Sequence, residues 1–254
     1  MSIPLLIRKV LFFSLLFGAL QAQIVNIEQL RFKTDTSLWL FQDNLSFSVF
    51  RNTDQVVDIE NDFLLRYYRG KNQLLLLNSL HFNFSEDINF AQAGFIHLRY
   101  VRSLSNLTEL EAFGQVQTDR PLRIEQRALF GIGPRFGVDQ KGSFQFHTGH
   151  LLMYESDKEM FNDIQHYDWR LSSYVSLLWK YKEQFNWTLV SYYQPRFEDW
   201  SDWRLSLQNQ LSFKLGEHWA FTVSASLNYD AQPVVDPNIP NLTYKLDNGI
   251  LVKF

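Results

Sequence analysis

Apolar and polar residues alternate with period two along most of this chain. In the stretch 203–213, Trp203, Leu205, Leu207, Leu211 and Phe213 alternate with polar residues, and 219–229 repeats the pattern. Alternation of this kind indicates β-strands with one apolar and one polar face, and no helical period competes over a comparable length. The pattern predicts twelve strands, roughly at 36–52, 55–69, 71–85, 89–103, 107–119, 122–138, 142–157, 166–181, 184–199, 202–215, 218–230 and 241–254.

The last of these strands has one apolar face and runs to the final residue. Its sequence is NLTYKLDNGILVKF, in which Leu242, Tyr244, Leu246, Ile250 and Phe254 share one parity. A soluble chain more often ends in a polar, frayed tail. We therefore expect the last strand to pair with the first, so that no sheet edge is left open.

The N-terminus has the order of charges and apolar residues that is typical of a secretory signal peptide. Arg8 and Lys9 precede an apolar run at 10–20, which is followed by Ala22. The run is shorter than the roughly 20 residues that a transmembrane helix needs. We predict a signal peptide at 1–22, a periplasmic lead-in at 23–35 and a β-barrel at 36–254.

An even number of amphipathic strands in an exported chain predicts a membrane barrel, because closed barrels satisfy all backbone hydrogen bonds in lipid. We predict an all-β fold, a transmembrane antiparallel up-and-down β-barrel of about twelve strands, with ten as the alternative count. The expected location is the outer membrane of a Gram-negative bacterium. A secreted β-sandwich also alternates and is the alternative fold.

Aromatic residues of apolar parity fall near both ends of the predicted strands, where a membrane barrel carries its two aromatic belts. These belts distinguish the barrel from a sandwich. The predicted girdle residues are Tyr154, Trp169, Trp179, Trp187, Trp203, Trp219, Tyr229 and Tyr244, and Phe254 is the expected C-terminal signal for barrel insertion.

The opposite parity carries many charges and is predicted to face the lumen. Because twelve strands lie between a filled eight-stranded barrel and a wide sixteen-stranded pore, these charges decide between two outcomes. They pair across the lumen and close it, or they line a narrow pore for small solutes. The predicted lumen residues are Asp58, Glu60, Asp62, Arg66, Glu109, Glu111, Arg123, Glu125, Arg127, Arg135, Asp168, Arg170, Arg196 and Arg204.

Composition narrows the choice of partners. Loss of residues 1–22, with Arg8 and Lys9, leaves 22 basic against 27 acidic residues and a net charge of about −5, which argues against nucleic acid. The chain has no cysteine, and its six histidines show no metal-ligand spacing, so no cofactor and no metal are expected. Expected partners are outer-membrane lipid, lipopolysaccharide and the barrel-assembly machinery; the sequence does not fix an oligomeric state.

Several stretches together resemble a known family. They are IVNIEQLRF (24–32), ELEAFGQVQTDR (109–120), LFGIGPRF (129–136), LLMYE (151–155), DWRLSSYVS (168–176), YYQPRFEDWSDWRLS (192–206) and NGILVKF (248–254). The set resembles the small outer-membrane barrels that are catalogued as a domain of unknown function and include a salt-induced outer-membrane protein, with the Bacteroidota branch most similar. The resemblance implies an outer-membrane barrel without an assigned activity.

Two other functions remain open at this stage. A barrel hydrolase needs a hydroxyl and an imidazole on one face, which Thr148, His150 and Ser173 would supply on the outer wall. Asp163, His166 and Asp168 would offer a protease-like group at the rim. The other function is that of a surface interaction module, which would act through the predicted loop 156–166.

Overall fold

The computed structural model describes residues 28, 38–51, 55–85, 91–140, 143–161, 163–182, 184–216, 218–236 and 238–252. The predicted signal peptide lies outside the described residues, and so does Phe254. Of the predicted lead-in, the structure describes Glu28. Among the residues described, no helix is long and apolar enough to cross a membrane.

Twelve antiparallel strands form one sheet, in which each strand pairs with the next along the chain. The predicted all-β, up-and-down fold is therefore confirmed. The strands are β1 (Trp39–Arg51), β2 (Gln55–Arg69), β3 (Asn72–Ser85), β4 (Ala91–Ser103), β5 (Thr108–Asp119), β6 (Ile124–Gln140), β7 (Phe144–Glu159), β8 (Gln165–Tyr181), β9 (Phe185–Pro195), β10 (Trp203–Lys214), β11 (Trp219–Asp230) and β12 (Leu242–Val252).

Contacts between distant strands show that the sheet curls into a barrel. The Tyr174 hydroxyl on β8 donates to Glu111 on β5 over 2.7 Å, although three strand steps separate them. Arg123, between β5 and β6, reaches Asp236, between β11 and β12, over 3.2 Å. The registers join eleven consecutive strand pairs, and among the described residues the expected pairing of β12 with β1 is not one of them, so that these two strands lie at the seam of the barrel.

The two ends of the barrel differ in their connections. Five connections lie at the turn end, at 70–71, 104–107, 141–143, 182–184 and 215–218, and all are short. The opposite, loop end has the two longest connections, 196–202 and 231–241. The predicted long loop 156–166 is wrong in extent, because the ladder continues to the pair Lys158–Gln165 and leaves 160–164 as the connection.

The outer wall of the barrel is largely apolar. In β7, residues of one parity, such as Leu151 and Met153, are buried inside, whereas Leu152 is 45% exposed outside. The continuous leucine run in β3 follows the same rule, since Leu75 and Leu77 point inward and Leu74 is exposed. An apolar exterior with a polar interior reverses the arrangement of a water-soluble barrel and is that of a membrane barrel.

A short polar stripe interrupts this wall across β1, β2 and β3. Asn61 donates to Asp43 over 2.7 Å, and Asn78 donates to Asn61 over 3.1 Å. The three side chains alternate with apolar neighbours and bond to one another. This mutual bonding lowers the cost of placing polar groups on an apolar surface.

Candidate functional site

The lumen contains two clusters of buried charges, one toward each end of the barrel. The loop-end cluster consists of Arg127, Glu155, Asp157, Arg170, Asp202, Arg204 and Asp230. The turn-end cluster consists of Glu28, Arg99, Glu109, Glu111 and Arg135. Burial of so many charges is tolerated only when they pair with one another.

Arg204 is the centre of the loop-end cluster. Its Nη1 donates to both carboxylate oxygens of Glu155 at 2.8 Å, and its Nε donates to Asp230 over 3.0 Å. Arg170 donates to both oxygens of Asp202, at 3.1 and 3.0 Å. These contacts connect β7, β8, β10 and β11 with the connection 196–202. The cluster therefore fastens a loop to the inner wall.

Glu111 and Glu28 are the fully buried carboxylates of the turn-end cluster. Arg99 Nη1 lies 3.1 Å from Glu28 and 3.3 Å from Glu111. Arg135 Nη2 lies 3.3 Å from Glu28, and Arg135 also pairs with Glu109. Glu28 precedes β1 in the chain, yet its carboxylate lies against strands β4, β6 and β8.

Between the clusters, an apolar and aromatic layer fills the middle of the lumen. Phe113, Leu151, Met153, Tyr174, Val190 and Tyr192 form this middle layer. A cavity of about 30 Å³ lies along it, enough for about two water molecules. A larger cavity of about 180 Å³ lies nearer the loop end of the barrel and is lined by the loop-end cluster. On this side of the barrel, the side chains of the middle layer thus leave less space than those of the loop-end cluster.

The packing of the lumen is uneven around the barrel. The clusters and the middle layer lie on the inner faces of β4 to β11, together with Glu28 and the connection 196–202. The inner face of β1, with Gln42, Asn44 and Ser46, is exposed to solvent. Asp62 on β2 and Asp247 on β12 are also exposed on the inner side. A polar, solvent-exposed wall thus faces the packed one.

Most of the predicted lumen charges lie on the inner parity of their strands. Arg66, Glu111, Arg127, Arg135, Arg170 and Arg204 are buried, and Asp58, Glu60, Asp62, Glu109 and Asp168 lie on the inner face with more exposure. Arg196 lies just past β9 and bridges to Asp168 over 3.5 Å and Asp202 over 3.4 Å. Arg123 is at the rim, in the left-handed conformation of a turn.

Glu125 does not face the lumen, and its assignment there was wrong. Its carboxylate is 2.8 Å from Lys158 Nζ, and both side chains are exposed on the outer wall. The pairing of β6 with β7 shifts between Ile124 and Gln126, so that one residue is skipped. A bulge of this kind reverses the parity of the residues before it.

Asp58, Glu60 and His81 place their ligand atoms within 4.8 Å of one another. This grouping was not predicted from the sequence, because Glu60 and His81 are opposite each other on β2 and β3. His81 Nε2 is 2.6 Å from Asp58 Oδ1, while Nδ1 is buried without a hydrogen-bond partner. Nδ1 has no partner whether Nε2 holds a metal or donates to Asp58, and the contact of 2.6 Å is that of a hydrogen bond.

The predicted girdle residues lie on the outer wall in two groups. Near the loop end, Tyr154 is 5.0 Å from Trp169 and Trp203 is 4.7 Å from Tyr229, measured between ring centroids. Near the turn end, Trp179 is 6.5 Å from Trp187, whose indole donates to Asn209. Trp219 and Tyr244 are exposed. Their contact with the membrane interface stays a prediction.

The structure brings together the hydroxyl and imidazole groups predicted for a lipid-face hydrolase. His150 Nδ1 is 3.0 Å from Ser173 Oγ, and His150 Nε2 is 3.4 Å from Thr148 Oγ1. Both ring nitrogens therefore face hydroxyls, whereas a catalytic triad has a carboxylate or amide that orients the imidazole. The rim group is not assembled, since His166 pairs with Glu159 and Asp168 with Arg196.

Two acidic loop residues are held in their charged form by local hydrogen bonds. The hydroxyl and backbone N–H of Ser201 donate to Asp199 and lower the pKa of its carboxyl. The backbone N–H of Asn238 and the guanidinium of Arg123 lower the pKa of Asp236. These loops thus keep their negative charge over the whole neutral range.

Sequence reasoning missed several members of the two clusters. Glu155 and Asp157 share the inner parity of β7, so the alternation that placed the other charges was sufficient to find them. Asp202 lies in the connection before β10 and Asp230 is the last residue of β11, so alternation within a strand gives little indication of either. Glu28 carried no signal, because it lies outside any strand and its partners are 71 and 107 residues away.

The geometry defines a twelve-stranded, up-and-down β-barrel with an apolar exterior and a charged interior. A family model described as "Protein of unknown function, DUF481" matches residues 44–246, and the chain belongs to this family. A search of curated proteins found no match.

Among solved structures, the chain is similar to the NanC porin (9% identity, TM-score 0.45, covering 85% of this chain and 100% of that one). It is also similar to the KdgM porin (9% identity, TM-score 0.38, covering 85% and 99%). Scores this low support no inference about function.

Proposed function

We propose that the protein is an outer-membrane barrel that acts as a narrow passive pore for small ions and solutes. The observation that carries this proposal is the uneven lumen. Buried ion pairs and the middle layer fill one side, while polar residues of β1, β2 and β12 remain exposed to solvent on the other. Polar groups that face a lumen and keep water contact are typical of an aqueous path.

The charges on this exposed wall give the pore a testable selectivity. Asp62 lies on β2, the partner of the seam strand β1, and Asp247 lies on the seam strand β12, 3.2 Å from Lys245 Nζ. Both carboxylates are exposed toward the lumen. Rings or rows of carboxylates in a pore favour the passage of cations. Neutralising both carboxylates should therefore shift the selectivity toward anions.

Single-channel conductance of the refolded mature chain in a planar bilayer tests the proposal. We expect discrete steps in the wild type, and a reversal potential that moves toward anions in the double variant Asp62→Asn/Asp247→Asn. Glu125→Gln, which removes a carboxylate from the outer wall, is the matched control and should change neither quantity. Silence from protein shown to be folded would mean a closed, structural barrel.

A barrel hydrolase is the second candidate, and the 3.0 Å contact between His150 and Ser173 is the observation that favours it. Both side chains are on the outer wall, where they would meet lipid. The absence of an orienting carboxylate at His150, among the residues described, weighs against it. A surface interaction module that binds a partner through its loops is the third candidate. Its contacts would come from 196–202 and 231–241, which are the two longest connections at the loop end.

The sequence-based expectations about export, origin and partners are part of this proposal. Export through the signal peptide at 1–22 and a Gram-negative, Bacteroidota-type origin are retained as predictions. Lipid, lipopolysaccharide and the barrel-assembly machinery are the proposed partners. The resemblance to a salt-induced outer-membrane protein is also retained as a prediction, and it carries no expectation that this chain responds to salt.

A further inference from the structure

The carboxylate of Glu28 occupies a pocket in the lumen wall that is built from three strands. Arg99 on β4 donates to Oε1 over 3.1 Å, whereas Arg135 on β6 and Ser176 on β8 donate to Oε2 over 3.3 Å each. All three donors are more than nine-tenths buried, and the side chain of Glu28 is fully buried. Two guanidinium groups and a hydroxyl that converge on one carboxylate form a built anion site.

The pocket is complete without Glu28, because its donors are held by other groups. Arg99 also lies 3.3 Å from Glu111, and Arg135 pairs with Glu109 and lies 3.7 Å from Glu111. The hydroxyl of Tyr174 fixes Glu111 from the opposite side over 2.7 Å. When Glu28 leaves, each guanidinium therefore keeps a carboxylate neighbour and its position. A pocket of this kind is preorganised for its ligand.

We propose that Arg99, Arg135 and Ser176 form a carboxylate-binding site in the turn-end half of the lumen, and that Glu28 occupies it as an internal ligand. A small solute with a carboxylate group takes the same three donors when Glu28 is absent. Glu28 belongs to no strand of the barrel, so its departure breaks no ladder hydrogen bond. That a solute bound at this site crosses the membrane rests on the proposed pore function. That the site binds a carboxylate is independent of it.

Acetate is the probe, because it is a carboxylate with the least additional structure. The mature chain is refolded in detergent micelles, and its thermal midpoint is followed by tryptophan fluorescence in sodium acetate and in sodium chloride at equal ionic strength. A ligand that binds the folded state raises the midpoint with concentration. In the wild type Glu28 competes with acetate for the site. For an internal ligand that leaves the site free about one-tenth of the time, the apparent affinity for acetate falls about ten-fold.

We expect acetate to stabilise Glu28→Ala at concentrations about ten-fold lower than those that affect the wild type. Glu125→Ala, which truncates an exposed glutamate, is the matched control and should behave as the wild type. Glu28→Ala/Ser176→Ala lacks one of the three donors and should bind acetate more weakly than Glu28→Ala. Glu28→Gln keeps the shape of the side chain but loses the charge that pairs with Arg99 and Arg135, so acetate should stabilise it at concentrations between those for Glu28→Ala and those for the wild type.

Equal responses of wild type and Glu28→Ala, or no response in Glu28→Ala, would overturn the proposal. If Glu28→Ala refolds poorly in chloride, acetate in the refolding buffer should restore the yield, and failure in both salts would also contradict it. The bilayer measurement is separate. If the barrel does not conduct but acetate stabilises Glu28→Ala, the proposed pore is refuted and the carboxylate-binding site is supported. If the barrel conducts and acetate has no effect, the pore is supported and the site is refuted.

Discussion

Replacing Glu155 by Gln tests how strongly the loop-end cluster holds the barrel together. Glu155 is 1% exposed and accepts two hydrogen bonds of 2.8 Å from Arg204. Arg170 and Arg127 follow at 3.7 and 3.9 Å. The change removes one negative charge from the centre of three buried guanidinium groups and leaves the shape of the side chain almost unchanged.

The expected cost follows from the burial of these partners. Breaking a buried ion pair by removal of one partner costs about 3–5 kcal/mol, because the other charge stays buried without compensation. Here Asp230 remains 3.0 Å from Arg204, and Asp202 remains 3.0 Å from Arg170. The guanidinium groups are therefore partly compensated. We expect the lower end of the range, a loss of about 3 kcal/mol in the free energy of unfolding.

Glu125→Gln is the matched control, since the pair Glu125–Lys158 has the same N–O distance of 2.8 Å but is exposed. Exposed pairs contribute about 0–1 kcal/mol and are screened by salt. Urea unfolding of the micelle-bound protein, followed by tryptophan fluorescence and linear extrapolation, measures both variants. A loss below about 1 kcal/mol in Glu155→Gln, or equal losses in both variants, would refute the reasoning.

Two further predictions concern the neighbourhood of Gly133 and His150, where β6 and β7 approach closely. An added Cβ at Gly133 would lie 2.1 Å from the backbone oxygen of His150, so Gly133→Ala should cost about 1–3 kcal/mol in urea unfolding. Gly216→Ala, with no atom within 4 Å, should change little, and equal stability of the two would contradict the close approach. His150→Ala should leave the conductance unchanged, with no lipase activity in either protein; lipase activity that is lost in the variant would favour the hydrolase instead.

Alternation along the chain was sufficient to predict the strands and their faces. Each inward residue of a strand follows from its neighbour two positions away, because successive side chains in a strand point to opposite sides. This rule placed Arg127 and Arg204 in the lumen and Trp169 and Trp179 on the outer wall. It failed at Glu125, where a bulge skips one residue, and a bulge depends on the partner strand rather than on local sequence.

The length of the strands was less predictable than their number. The polar run that begins at Ser156 predicts the loop 156–166, although Asp157 and Glu159 are buried and continue strand β7. Arg127 and Arg204, which lie on other strands, form ion pairs with Asp157, and His166 Nε2 lies 2.8 Å from Glu159. A local reading of polarity cannot include partners that lie on distant strands.

The sequence by itself determined the class of fold, the parity of each strand and the charged character of the lumen, because these depend on residues that are near neighbours in the chain. Only the tertiary structure decided which charges pair. The curvature of the sheet brings Glu155 to Arg204 and Tyr174 to Glu111 across several strands. It also placed Glu28 among Arg99, Arg135 and Ser176, since the energy of a buried charge depends on partners that are distant in sequence and close in space.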